Sequence, residues 1–479
     1  MITHWERGRE IPLADDADVV VCGGGPAGFA AAVAAARAGA RTVLLEAHGC
    51  LGGVWTAGAL SWILEADKPG ILAELTDLLD RRGARAGNAD TSFGYDVEIM
   101  KLTLDELVAA AGVRVQLHTR VSAASTDTDN RLSTVVTESK SGRQGWNGRV
   151  FIDATGDGDL AAQAGCRFDY GHPDTGEAQP MSLMALLSGI NLAEVDSFVA
   201  GGAELAGSAP MPQSRRYLAA KDRLRDEFAR AGIEPSYAAP TLWCIHEDLF
   251  ALMSNHEYGV AATDAEQITD ATVRARAELH RQVSALRSLG GAWSGLRLVS
   301  TGAQIGVREG RRVHGRYRVT VDDLRTGTRH HDAVCRVSSG ADVHALSAAE
   351  GGYLSRATSV LQSSTVATSR VAPVQTYDIP LRALIARDVD GLLLAGRCIS
   401  GDFLAHASYR VTGNAVAMGQ AAGVVGALAA RAGVAPHDVP WDDVRAGLDA
   451  AGLAAAHTTS TERSRSSAMA RAAGPSSAQ

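Results

Sequence analysis

Between residues 18 and 46 the chain reads as strand, glycine turn, helix and strand, and this succession limits the fold more than any other feature of the sequence. Asp18-Val-Val-Val-Cys22 has the β-branched run of a buried strand. Gly23-x-Gly25-x-x-Gly28 follows without a spacer, Phe29 to Ala38 is alanine-dominated and helical, and Gly39 is its stop signal. Arg41-Thr-Val-Leu-Leu-Glu46 returns as a second strand. Such a βαβ unit requires parallel pairing and a right-handed crossover. The first glycine permits the tight turn, the second lets backbone approach a pyrophosphate, and the third lets the helix pack closely on the strand. Phosphates belong at the helix N-terminus, where unpaired N–H groups and the dipole favour anions. Glu46, at the second strand's end, accepts hydrogen bonds from a ribose and disfavours a 2′-phosphate.

Either NAD or FAD would fit this unit alone. A second glycine pair, Gly52-Gly53, lies just past the ribose-binding strand, where the chain would run along an extended cofactor, and this favours FAD. Phe151-Ile-Asp-Ala-Thr-Gly-Asp-Gly-Asp159 places a small-residue turn after a strand. Leu392-Leu-Leu-Ala-Gly-Arg397 and Gly413–Gly423 supply a late strand and a glycine-bearing helix. Strand-like segments at Val113–His118, Arg131–Glu138 and Arg149–Asp153 suggest a meander, and a long helix is expected from Asp270 to Leu289. The expected class is α/β: a Rossmann-like FAD-binding domain with a β-meander, made from residues 15–170 and 371–432. An α+β substrate or cap domain, 171–370, is inserted in it. A helical segment, 433–457, and a disordered tail, 458–479, follow.

Composition removes several function classes. With 46 basic and 54 acidic residues, the net charge of −8 gives no electrostatic reason to bind nucleic acid. Six dispersed cysteines without a C-x-x-C argue against zinc, iron–sulfur and disulfide frameworks, so no metal is expected. No run approaches the roughly 18 apolar residues of a membrane span, and a cytoplasmic protein is the default expectation.

The chain resembles the FAD-dependent oxidoreductases of the FAD-oxidored family, with a glutathione-reductase-like fold. The resemblance rests on Asp18 to Gly28, Leu51-Gly-Gly53, Ile152 to Leu160, Ile305-Gly-Val-Arg-Glu309 with Arg311, Arg312, Gly315 and Tyr317, and Leu394 to Ser400. His406-x-Ser408-x-Arg410-Val and Met418-Gly-Gln-Ala-Ala-Gly423 complete it. It implies that Gly23, Gly25, Pro26, Ala27 and Gly28 hold the pyrophosphate and Glu46 the ribose. Gly52 and Gly53 would run beside the ribityl chain and the isoalloxazine, Val121 would touch adenine, and Ala154, Thr155 and Gly156 would pack near the nucleotide. Gly396 and Arg397 would contact the ribityl or pyrophosphate portion. The helix carrying Gly419, Gln420 and Ala421 would aim its N-terminal region at the flavin. Trp55 either covers a flavin face or packs in the core. His48 and Cys50 are nucleophilic types nearby, but non-covalent FAD is the expectation.

No second Gly-x-Gly-x-x-Gly unit is present for a separate nicotinamide domain, and no dithiol is available for disulfide exchange. The flavin is therefore expected to be reduced by the substrate itself, with oxygen or another acceptor completing the cycle. A reductase, a monooxygenase and a non-catalytic FAD protein are the rivals. His406, read as lying in the loop before the flavin-facing helix, is the leading proton acceptor. Arg410 would hold an anionic group. Arg308 and Arg311 are candidates at the substrate interface, within an arginine-rich stretch read as a salt-bridged strand. Asp157 and Asp159 are read as turn and capping residues, and Asp96, Glu98 and Lys101 as a solvated helix start. The expected partners are a small-molecule substrate and an electron acceptor, with no nucleic acid or membrane. Self-association as a homodimer is compatible with this reading.

Overall fold

β1 (Leu13–Cys22), α1 (Pro26–Arg37) and β2 (Thr42–Leu45) form the βαβ unit in the computed structural model, which describes residue 8 and residues 10–87, 91–202, 215–351 and 374–450. β1 pairs in parallel with β2 on one side and a later strand on the other. Val19–Cys22 are consequently buried, the setting in which a β-branched run packs well. The strand begins earlier than its apolar run because Asp15–Ala17 continue the ladder opposite Trp146–Gly148. The helix likewise begins at Pro26 rather than Phe29. Gly25 is its N-cap, and proline suits a first turn that has no N–H to bond.

After α2 (Ile71–Arg81) and α3 (Val97–Ala110), the sheet is extended by β3 (Arg114–Gln116), which pairs in parallel with β2. The meander β4 (Arg120–Thr126), β5 (Leu132–Ser139) and β6 (Gly142–Asp153) joins on the far side of β1. β6 serves both halves: its start pairs antiparallel with β5, while its length runs parallel to β1.

A second core is built on a five-stranded sheet of β7 (Ala185–Ser188), β8 (Val199–Gly202), β9 (Thr241–His246), β10 (Leu249–Met253) and β11 (Arg297–Thr301), in the order β8-β9-β10-β7-β11. α4 (Arg215–Arg230) contributes Leu224 and Phe228 to this core. α5 (Ala265–Ser288) lays Ala271, Ala275, Leu279, Val283 and Leu286 onto it at helical spacing.

The segment expected as one inserted unit, 171–370, contributes to both cores. Met181 to Ile305 pack in the second, whereas Val313, Val319, Leu324, Cys335 and Val337 belong to the first. The reason is pairing: strand Ala333–Val337 is antiparallel to Tyr377–Pro380, whose residues pack in the first core. The arginine-rich stretch is mostly loop rather than strand, since only Arg312–Val313 pairs, with Phe168–Asp169. Four of its five arginines are nevertheless paired, with Arg311 on Asp159, Arg312 on Glu309, Arg316 on Asp390 and Arg318 on Asp169, and Arg308 is the exception among the described residues.

The chain returns to the first sheet as β12 (Leu392–Leu394), parallel to β6. α6 (Phe403–Tyr409), α7 (Thr412–Ala432) and α8 (Trp441–Ala450) follow, the last within the expected helical segment 433–457. The expected tail, 458–479, lies outside the described residues. By length and composition α7 could cross a membrane, but most of it is buried inside the protein. It lies backbone-close on α1: a Cβ on Gly419 would overlap the Ala27 carbonyl oxygen, and one on Gly423 the Ala31 carbonyl oxygen. Gly419→Ala must therefore push the helices apart, and overpacking of this kind costs about 1–3 kcal/mol. A melting temperature lowered by a few degrees is expected in a thermal scan.

A dinucleotide cradle beside a buried cationic hollow

The turn after β1 is shaped by contacts that only glycine tolerates. Gly23 has φ +95°, and a Cβ there would come 2.5 Å from the Ala154 carbonyl oxygen. A Cβ on Gly28 would overlap the Gly23 carbonyl oxygen, so strand end and helix start touch through backbone. Gly25 is different: no heavy atom lies within 4 Å of its Cβ position, and no side chain caps the start of α1. An open concavity thus faces uncapped N–H groups at a helix N-terminus, which suits a phosphate.

Glu46 closes one side. Its Oε2 accepts from Gly24 N at 2.5 Å and its Oε1 from His48 N at 2.8 Å, with His48 Nδ1 at 2.7 Å. Burial works against its ionisation, but the His48 and Gly24 hydrogen bonds prevail and hold it below the ordinary carboxylate range. A carboxylate has about four acceptor positions, so one remains beyond these three contacts. Opposite stand Ala154, Thr155 and Gly156, with Thr155 Oγ1 donating to Asp153 Oδ1 at 2.7 Å.

Arg397 links this cradle to the second core. Its guanidinium donates to Gly156 O at 3.1 Å, Asp157 Oδ1 at 2.6 Å and Val307 O at 2.6 Å. The next residue, Arg308, donates to Pro180 O and Ser182 Oγ and approaches Met253 S at 3.7 Å. Arg410, at the junction of α6 and α7, donates to Asp342 O at 2.7 Å and lies 3.6 Å from its carboxylate. The same carboxylate is 3.4 Å from His344 Nε2. The His344 ring is 5.0 Å from His256, which stacks on Tyr237 at 4.0 Å and contacts Tyr258 OH at 3.1 Å. Lys221 lies over Tyr217 and Tyr237. Asp342 keeps 54% of its side-chain surface accessible, so the cluster forms a hollow that is open to solvent at this carboxylate. The loop after Gly53 reaches the five-stranded sheet and the segment after it, because Ala57 O accepts from Gln304 N and Ser61 Oγ from Trp243 Nε1.

A profile of the FAD dependent oxidoreductase family matches residues 18–448. The chain belongs to the FAD-dependent oxidoreductases. Solved structures similar to this flavoprotein include a geranylgeranyl bacteriochlorophyll reductase-like protein from Thermoplasma acidophilum (13% identity, 91% of this chain and 83% of that chain covered, TM-score 0.46). A myxobacterial chondrochloren halogenase (13%, 96% and 90%, 0.43) and p-nitrophenol 4-monooxygenase from Pseudomonas putida (13%, 95% and 93%, 0.42) are others. No curated protein matches the chain.

The residues of this FAD-dependent oxidoreductase fit the dinucleotide: the cradle at Gly25, the bare start of α1 and the carboxylate after β2 would be its donor and acceptor set. Gly23, Gly25, Pro26, Ala27 and Gly28 form the turn, Gly53 sits 3.1 Å from Gly25 Cα by its Cβ position, and Gly396 backs onto Ala27. Gly52 N donates to Gly24 O at 2.7 Å, tying the two glycine loops together. Val121 lies in β4 opposite Thr137. Four residues of the expected cofactor set are engaged within the protein. The Trp55 ring is fully buried, edge-on to Tyr95, which makes it a core residue. Gln420 accepts from Ile71 N at 3.0 Å and so caps α2, and Ala421 is buried within α7, as Gly419 is against α1. Replacing one Glu46 oxygen by an amide sets donor against donor at Gly24 or His48, at a cost of about 1–3 kcal/mol. Glu46→Gln should thus retain FAD about tenfold more weakly, as read by flavin content after dialysis.

Of the four catalytic candidates, Arg308 and Arg410 meet at the hollow. Arg311 instead clamps the Asp157–Asp159 turn through Asp157 O and Asp159 Oδ1. His406 is not in a loop but within α6, fully buried, and neither ring nitrogen has a partner of normal hydrogen-bond geometry. Burial, with Arg312, Arg410 and Arg397 nearby, pushes its pKa well below the imidazole range, against a contrary pull from the Arg397 main chain. Asp96 caps α3 and also meets His246 at 2.9 Å. Sequence reasoning missed Asp342, His344, His256, Tyr237, Tyr258 and Lys221. The only local signal was Asp342-x-His344, a spacing that puts two side chains on one face of an extended segment.

Proposed function

We propose that this flavoprotein catalyses the two-electron oxidation of a small organic substrate in the hollow, with His344 as the proton acceptor and oxygen as the terminal electron acceptor. FAD, bound non-covalently, supplies the hydride-accepting chemistry. The observation that carries the reading is the Asp342–His344 pair. One ring nitrogen faces the carboxylate, while the other, Nδ1, is buried without a partner among the described residues. Burial and Arg308 lower the His344 pKa to about 4, against the pull of Asp342, so at neutral pH the imidazole is an uncharged acceptor. Burial would raise Asp342, but His344, Arg410 and Arg308 hold it well below the carboxylate range, and it stays ionised to orient the ring. A substrate O–H or N–H placed at Nδ1 loses its proton there as the adjoining C–H loses hydride. Asp342 then stabilises the imidazolium.

The test is anaerobic mixing of the holoprotein with a panel of alcohols, hydroxy acids and amines while the flavin absorbance is followed. Bleaching by substrate alone supports the reading. Bleaching only by NAD(P)H assigns a reductase or monooxygenase, and no bleaching by any donor assigns a non-catalytic role.

A further inference from the structure

The hollow has more positive charge than its own residues neutralise. Arg308, Arg410 and Lys221 surround it, and Asp342 is the one carboxylate among the described residues that pairs with any of them. Among the described residues Arg308 is held only by a carbonyl, a hydroxyl and a thioether sulfur. Lys221, itself buried, meets Tyr217 OH at 3.2 Å and two tyrosine faces. Burial of a cation without a counter-ion is costly, and Arg308 responds as expected, its pKa lowered to about 10 by burial and by Arg410. Several polar atoms of the same cluster have no partner among the described residues: Arg410 Nε, His256 Nε2 and His344 Nδ1. The unmatched Arg410 Nε donor and the unmatched charge thus coincide in one place.

We infer that the hollow binds a substrate carrying a carboxylate, held between Arg308 and Arg410, with Lys221 adding to the field that attracts it. The guanidinium fork matches a planar carboxylate, and a bound anion removes the mutual repulsion of the two arginines. Asn255 supports the arrangement by fixing the Arg308 acceptor. Its side chain bonds Leu183 N at 2.9 Å and Leu183 O at 2.7 Å, and its carbonyl accepts from Ser182 Oγ at 2.8 Å. Met253, whose sulfur approaches Arg308, packs against the apolar cluster of Met184, Trp243 and Ala251, so the surroundings on that side of Arg308 are apolar.

This inference rests on the oxidation reading for its location, and the experiment separates the two. Binding of benzoate, benzamide and inorganic phosphate to the holoprotein is measured by calorimetry, and each acid of the bleaching panel is paired with its methyl ester. Benzoate should bind, benzamide should bind at least tenfold more weakly, and acids should bleach the flavin faster than their esters. Arg308→Lys and Arg410→Lys should each weaken benzoate binding about tenfold while flavin content and melting temperature report an intact fold. Equal binding of benzamide, tighter binding of phosphate, or no effect of either lysine variant overturns the carboxylate site. If esters bleach as well as acids, oxidation stands and the carboxylate site falls. If benzoate binds through both arginines but nothing bleaches, the site stands and oxidation falls.

Discussion

Gly28→Ala should give a protein that no longer retains FAD after desalting. The added methyl would overlap the Gly23 carbonyl oxygen and come within 3.0 Å of Ala154 Cβ, and both neighbours belong to the cradle itself. Strand end and helix start must separate, at about 3 kcal/mol, or about 100-fold in cofactor affinity if the strain falls on the turn. Gly25→Ala provides the contrast. Its φ of −66° is open to alanine and its Cβ position is empty, so the apoprotein should fold and melt as the parent does. Flavin content should still fall, because the methyl would stand where the pyrophosphate approaches. A Gly25→Ala protein with the parent's affinity for FAD would remove the pyrophosphate from that place.

The second large effect is on turnover. His344→Gln should lower kcat by about 10²–10⁴-fold, the usual contribution of a positioned general base, with FAD content unchanged. Because the neutral imidazole is the active form, kcat/KM of the parent should stay level from neutral pH down to about 4 and fall below it. An ordinary imidazole would place that fall near 6.5. Asp342→Asn acts through the ring, so its signature is a displaced acidic limb together with a smaller loss of kcat. A limb near 6.5 in the parent, or full turnover in His344→Gln, would move the base elsewhere.

The cradle was legible because it is local. Strand, turn and helix occupy Val19 to Arg37, and each glycine's purpose can be stated from its neighbours in the chain. The hollow was illegible because its parts come from Lys221, Tyr237, His256, Arg308, His344 and Arg410, and nothing near any of them marks the others. Arg308 and Arg410 entered through a family resemblance, which carries non-local information. The same distinction explains Trp55 and Gln420. Both sit beside cofactor motifs in sequence, but Tyr95 and the amide of Ile71, which engage them, are remote in sequence. His406 shows a further limit: residue type and spacing suggest a base, but nothing in the sequence places it inside α6 with three arginines around its ring.

The contact between α1 and α7 also bears on how the protein comes into being. The βαβ part of the cradle is encoded within the first 60 residues, but the helix that backs it, through Gly419 on Ala27 and Gly423 on Ala31, leaves the ribosome last among the long helices described. At about 5–20 residues per second, the nascent βαβ unit waits some tens of seconds with an apolar face uncovered. Cofactor capture is thus an event of the finished chain, and synthesis in a riboflavin-starved cell should accumulate full-length apoprotein rather than arrested fragments.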